Sequence, residues 1–351
     1  MSDRDGRAPG GGGHGVGPVA GRADGAPRVG VVGAGALGYH HIRLLRDLPG
    51  IRFAGFYEVR ADRAAVVAAE LSVPAFASLA ELLDVVDALT IVVPTPAHFD
   101  VARTALERGL HLLIEKPLAT TVDEADELLA AARRTGAVLQ TGHVERFNRA
   151  VRAALPLVHG PRFIESDRLA PFTPRGADVA VVLDLMIHDI DLVRTLMPER
   201  VRDVAAVGVP LLTSSVDIAN ARLTFESGAV ANITASRVSK DRLRKIRIFQ
   251  PSGYLSLDLA AGTGEFYRLR REVDLAALAR EGRPIEIDAF VERVPLDAPD
   301  GEPLKLELES FAAAVRGEQP VTVTGEDGRD ALAIALRIVS EIERQLLVPT
   351  A

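Results

Sequence analysis

The string Gly33-Ala34-Gly35-Ala36-Leu37-Gly38 lies between a short apolar run, Val29 to Val32, and a helical period, Ala36 to Leu48. No other feature constrains this chain as strongly. A G-x-G-x-x-G at a strand-to-helix turn divides its work. The first glycine permits the tight turn, the second lets backbone approach a pyrophosphate, and the third lets helix and strand pack closely. The helix that follows offers free N–H groups and the positive end of its dipole to the phosphates. Glu58 lies 20 positions past Gly38 at the end of the next strand, where a carboxylate accepts hydrogen bonds from an adenosine ribose. The pattern predicts dinucleotide binding through Gly33, Gly35, Ala36, Leu37, Gly38 and Glu58. Glu58 disfavours a 2′-phosphate and points to NAD, while Arg60 and Arg63 nearby leave NADP open.

The alternation continues. Ile51–Tyr57, Ala88–Val93, His111–Ile114 and Ala137–Gln140 read as strands, with helices at Ala61–Leu71, Ala97–Arg108 and Val122–Arg134. Strands joined by helices of this length imply right-handed crossovers and a parallel sheet covered on both faces. The fold class is therefore α/β: a doubly wound, Rossmann-type domain over 28–142. From 143 to 351 the texture changes. Predicted helices at Glu145–Val158 and Val182–Met197 precede strands at hairpin spacing: Ile218–Phe225, Ala229–Ala235, Leu243–Gln250, Tyr254–Leu259 and Phe266–Val273. Closing helices follow at Leu306–Val315 and Asp327–Leu347. This half predicts an α+β domain with a large, mainly antiparallel sheet. Residues 1–27 are glycine-rich, without periodicity, and predict a disordered tail.

At about 150 residues per domain, 351 residues suit two domains. The chain has no cysteine, which excludes disulfides, iron–sulfur clusters, thiolate zinc sites and a cysteine nucleophile. Its net charge of −7 argues against a nucleic-acid partner, because that affinity comes from neutralising phosphates. No apolar run reaches the roughly 18 residues of a membrane span, and the tail lacks the apolar stretch of a secretory signal. A cytoplasmic small-molecule enzyme or binding protein is expected.

Three residues carry candidate chemistry. Lys116 follows the strand His111–Ile114, and ligands of open α/β sheets bind at the carboxyl ends of strands. Its plainer reading is a loop cation paired to Glu115. Asp184 and His188, four residues apart, share one face of a predicted helix roughly 40° apart, with Asp191 continuing that face. A His and an Asp in so apolar a helix cost desolvation unless they bond each other or a ligand. A buried, locally satisfied histidine is the alternative. A zinc site is weaker, since one His and two carboxylates lack a further ligand cluster, and no metal is expected. His40, His41, His98, His143 and His159 are scattered singly and are structural or solvated by default.

The glycine string, Glu115-Lys116-Pro117 after a later strand, and Asp184-x-x-x-His188 in the following domain together resemble the Gfo/Idh/MocA oxidoreductases. His41, three residues after Gly38, and Pro94-Thr95-Pro96 with His98 agree with this resemblance. The resemblance implies hydride transfer between a sugar or cyclitol carbon and NAD or NADP. It places Pro94, Thr95, His98, Glu115 and Lys116 beside Arg60 among the cofactor contacts. By the same resemblance Lys116 polarises the reacting oxygen, Asp184 positions substrate hydroxyls, and His188 is the general acid/base. It also implies a dimer or tetramer through the second domain's sheet. Val179-Ala180-Val181-Val182 departs from the glycine-rich stretch many members carry before the Asp. The segments Gly142–Asn148 and Arg168–Gly176 look more like a branch acting on nucleotide sugars. On that reading Arg146, Arg168 and Arg175 would meet a diphosphate, since guanidinium forks suit phosphate oxygens. A surface role is the alternative for each.

Overall fold

The computed structural model describes residues 25–173, 179–270 and 291–347. Most of the predicted tail, the end of the strand predicted to Val273, and Arg175 lie outside them.

The first half forms a five-stranded parallel sheet. Its strands are β1 (Arg28–Val32), β2 (Arg52–Tyr57), β3 (Ala88–Ile91), β4 (His111–Glu115) and β5 (Leu139–Gly142), in spatial order β2-β1-β3-β4-β5. Helices α1 (Ala36–Arg46), α2 (Ala61–Leu71), α3 (Leu79–Leu83), α4 (His98–Glu107) and α5 (Val122–Thr135) connect them. Strands β3 and β4 are buried along their whole length, as a sheet covered on both faces requires. Helix α5 starts at a reciprocal cap between Thr121 and Glu124 and stops at Gly136, whose φ of 70° a side chain would resist.

Among the described residues the second sheet has eight strands: β6 (Phe163–Leu169), β7 (Val201–Val209), β8 (Ile218–Phe225), β9 (Val230–Ser236), β10 (Leu243–Gln250), β11 (Gly253–Asp258), β12 (Thr263–Leu269) and β13 (Val291–Pro295). Their spatial order is β13-β12-β11-β10-β6-β9-β8-β7. Among the described residues only the β6–β9 pairing of this sheet is parallel. Ala219, Ala221, Leu223 and Phe225 are buried on alternate positions of β8, so this sheet packs on one face only. Helix α7 (Ile187–Leu196) lies on that face, its Ile187, Ile190 and Val193 in one cluster with Ile164, Ile233 and Ile246.

The helix expected over Glu145–Val158 is broken. A 3-10 turn (Val144–Phe147) gives way to α6 (Arg149–Ala154) and another turn (Leu155–Leu157). Asn148 is extended at ψ 135° and its side chain accepts from the Ala150 N–H, which restarts the helix; Pro156 sits in the closing turn. Strands β6, β7 and β13 were not legible in the sequence, β6 because its alternation runs through Glu165, Asp167 and Arg168.

The last two helices return to the first sheet. Leu308, Phe311 and Ala312 of α8 (Pro303–Val315) pack with Val29, Val31, Ile42 and Leu45. Leu332 of α9 (Gly325–Leu346) joins the cluster on the opposite face, beside Leu128 and Leu139. A β-bridge between Gln140 and Thr324 ties the return to β5.

Candidate active site

The turn from β1 to α1 shows why its glycines stand where they do. Gly33 has φ 96°, and a Cβ there would run into the Val92 carbonyl; one on Gly38 would strike the Gly33 carbonyl. At Gly35 a Cβ would meet nothing within 4 Å. The middle glycine is thus the position where backbone faces open space at the helix N-terminus, and no side chain caps that end. A pyrophosphate fits this cradle. Glu58, at the end of β2, accepts from the Ala34 N–H at 2.7 Å and from the Arg60 N–H at 3.1 Å. Arg63 donates to the Ala34 carbonyl at 2.9 Å and stacks its guanidinium over Tyr39. The Arg60 side chain is exposed, 4.0 Å from Glu58.

Pro94 and Thr95 open a 3-10 turn just past β3. His98 behind them is buried, its ring nitrogens 2.9 Å from the carbonyls of Val93 and Pro117. It bolts this turn to the one carrying Lys116; burial pushes its pKa down. Glu115 is also buried and reaches His41 Nε2 at 3.1 Å and the Lys116 N–H at 3.3 Å. The imidazole of His98 and the carboxylate of Glu115 therefore position their neighbours and face inward. At Lys116 it is the backbone N–H that Glu115 takes.

Instead the Lys116 ammonium crosses to the second half of the chain. It donates to the Asp184 carbonyl at 2.7 Å and lies 3.7 Å from the Asp184 carboxylate. Asp184 occupies a π-turn (Val182–Met186) that leads into α7, where a single α-helix was expected. Such wide turns recur at functional sites. His188 stands in the first turn of α7 with Nδ1 buried and no hydrogen-bond partner among the described residues. Burial, then the charges of Lys116 and Arg168, His143 and the charge of Arg244, hold it well below the ordinary imidazole range. His143 lies fully buried beyond it, 4.0 Å from Asp191, its pKa also lowered by burial. The structure thus brings a cation, a carboxylate and a neutral imidazole together at the carboxyl end of β4.

Arg146 and Arg168 do not present free guanidinium forks, which corrects the reading of both as diphosphate ligands. Arg146 grips both oxygens of Asp191 at 2.7 and 2.8 Å. Arg168, only 3% exposed, holds Asp189 at 2.6 Å and Glu145 at 2.9 Å. Among the described residues no group of three or more His, Asp and Glu side chains is placed to hold a metal ion. No helix among them is long and apolar enough to cross a membrane.

A family model described as "Oxidoreductase family, NAD-binding Rossmann fold" matches residues 27–143, and the Gfo/Idh/MocA C-terminal domain matches 161–256. The chain belongs to the Gfo/Idh/MocA oxidoreductase family. It is an NAD-binding dehydrogenase acting on a CH–OH group. This Gfo/Idh/MocA member is 40% identical to the UDP-N-acetylglucosamine 3-dehydrogenase of Acidithiobacillus ferrooxidans, over 90% of this chain and 97% of that one. A solved structure of that enzyme superposes with a TM-score of 0.82 at 38% identity, covering 91% and 98% of the two chains. The myo-inositol 2-dehydrogenase of Thermotoga maritima is 25% identical, over 91% of this chain and 97% of its own.

Proposed function

We propose that this enzyme oxidises the C3 hydroxyl of UDP-N-acetylglucosamine to a ketone. The observation that carries the catalytic part is the meeting of Lys116, Asp184 and His188 at one strand end. The likeness to a UDP-N-acetylglucosamine 3-dehydrogenase over nearly the whole chain supports the substrate. The cradle at Gly35 would hold the pyrophosphate of NAD, with Glu58 released from the Ala34 N–H to bond the ribose. A bound nicotinamide supplies the hydride acceptor. The residues do the rest. His188, kept neutral by burial and surrounding cations, accepts the hydroxyl proton. The Lys116 ammonium stabilises the charge that develops on that oxygen, and the Asp184 carboxylate accepts bonds from sugar hydroxyls. The division of the chain at Gly142 into a nucleotide-binding and a substrate-binding domain belongs to this reading. So do a cytoplasmic location and a dimer or tetramer formed on the second sheet.

The test is mass spectrometry of UDP-N-acetylglucosamine incubated with the protein, NAD and a small-molecule acceptor that regenerates NAD. Loss of two hydrogens from the sugar, absent with Lys116→Ala, is the expected result. No change, with NAD binding intact, would overturn the nucleotide-sugar substrate and favour a free sugar or cyclitol.

A further inference from the structure

With Arg146 and Arg168 locked in internal ion pairs, a nucleotide-sugar substrate needs another cation, and the second sheet holds one in a strained electrostatic position. Arg244 on β10 pairs directly across from Arg168 on β6. Strand alternation puts Arg244 on the same face as Ile246 and Ile248, and Arg168 on the same face as Ile164, which is the side α7 covers. Like charges directly opposite on neighbouring strands repel. The nearby carboxylates do not resolve the conflict evenly. Arg168 holds Asp189 and the Oε1 of Glu145 at 2.9 Å, whereas Arg244 reaches that same Oε1 at 3.4 Å. Its side chain stays 39% exposed, so an anion from solvent can reach it. Burial first, and the Arg168 charge second, depress its pKa, as they do for a cation short of counter-charge; Glu145 and Asp189 oppose that and Arg242 adds to it. Arg244 also acts on His188, lowering the affinity of that imidazole for a proton.

We propose that Arg244 binds the diphosphate of the substrate, anchoring a nucleotide sugar against the face of β10 beside His188. The assignment rests on the nucleotide-sugar reading above. The chemistry of such a substrate constrains where the cation must lie. In a hexose oxidised at C3 and phosphorylated at C1, the phosphate is two ring carbons from the reacting carbon. The cation that takes it must therefore lie within electrostatic reach of the proton acceptor, and the charge of Arg244 acts on His188. Arg63, by contrast, is committed to the Ala34 carbonyl at the far end of the cofactor cradle. A bound diphosphate would also offset the repulsion of Arg168 on Arg244, which holds Glu145 only at 3.4 Å.

The experiment measures UDP as a competitive inhibitor, together with KM and kcat for UDP-N-acetylglucosamine. It uses the full-length, NAD-loaded protein as wild type, Arg244→Gln and Arg244→Lys. Expected for Arg244→Gln is a loss of about tenfold or more in UDP affinity and a matching rise in KM. In that variant kcat should stay within a few-fold, with NAD affinity unchanged and no loss in the thermal midpoint. Arg244→Lys should fall between, since an ammonium keeps the charge and loses the fork. Unchanged UDP affinity in Arg244→Gln, beside a wild type that binds UDP, overturns the proposal. A wild type that binds no UDP overturns it together with the nucleotide-sugar reading. A wild type that binds UDP without oxidising the sugar refutes the oxidation at C3, while the comparison of variants still decides the role of Arg244.

Discussion

A histidine set among cations is a poor holder of protons and, for that reason, a base that is ready at low pH. The pKa of His188 is lowered, so its neutral form persists below the pH at which a free imidazole would protonate. Activity that needs the neutral ring is lost only when pH falls through that depressed value. The acid limb of kcat/KM should therefore lie below the ordinary imidazole range, and a pH–rate profile measures it. His188→Gln should lower kcat by about 10²- to 10⁴-fold with NAD affinity retained. Arg168 makes the opposite kind of prediction. Replacing it with Leu strands Asp189 and Glu145 in a buried site and should cost about 3–5 kcal/mol in a denaturation experiment. A ligand-binding arginine would cost affinity and little stability. The sequence singles out Lys116, Asp184 and His188 as candidates because each sits at a position marked by topology or helical spacing. It misled at Arg146 and Arg168, because composition cannot tell which carboxylate a guanidinium will find. Arg244 was silent for a related reason: its significance is a cross-strand partner, and register is invisible until the strands are paired.

Among the elements, those with strong local grammar were legible. The β1–α1 turn, the capped helix α5 and the hairpin at Ser227-Gly228 all form close to where the residues place them. The glycine turn also separates folding from binding. Gly38→Ala should destabilise the protein, since the added methyl meets the Gly33 carbonyl. Gly35→Ala should leave the thermal midpoint nearly unchanged and weaken NAD, because its methyl enters only the space a pyrophosphate would take. Calorimetric titration of NAD beside thermal melts distinguishes the two. Elements whose existence depends on partners were not legible. Strand β6 runs FIESDRL; its Arg168 pairs with Glu145 and Asp189 from outside the sheet, and its Glu165 with Arg247 on the neighbouring strand β10. The helix expected over Glu145–Val158 failed at Asn148, where a side-chain cap outweighs the apolar period.

At the scale of the molecule, two sheets and the class of each were readable from the change of texture near Gly142. The path of the chain was not, because nothing local in Leu306–Val315 says which sheet that helix serves. It serves the first. Phe311 is buried against the β1–α1 layer, and Phe311→Ala should cost about 3–5 kcal/mol. That loss should appear as reduced NAD affinity at physiological temperature as well as a lower melting midpoint. The return of α8 also sets the terms on which such an enzyme can be recombined. A chimera joined once near Gly142 would ask a foreign α8 to fit the groove beside α1. A second junction near Glu302, with α8 and α9 kept from the parent of the first sheet, would leave those contacts native. Exchange of substrate range by gene shuffling should therefore succeed with inserted middle segments, and fail with exchanged halves.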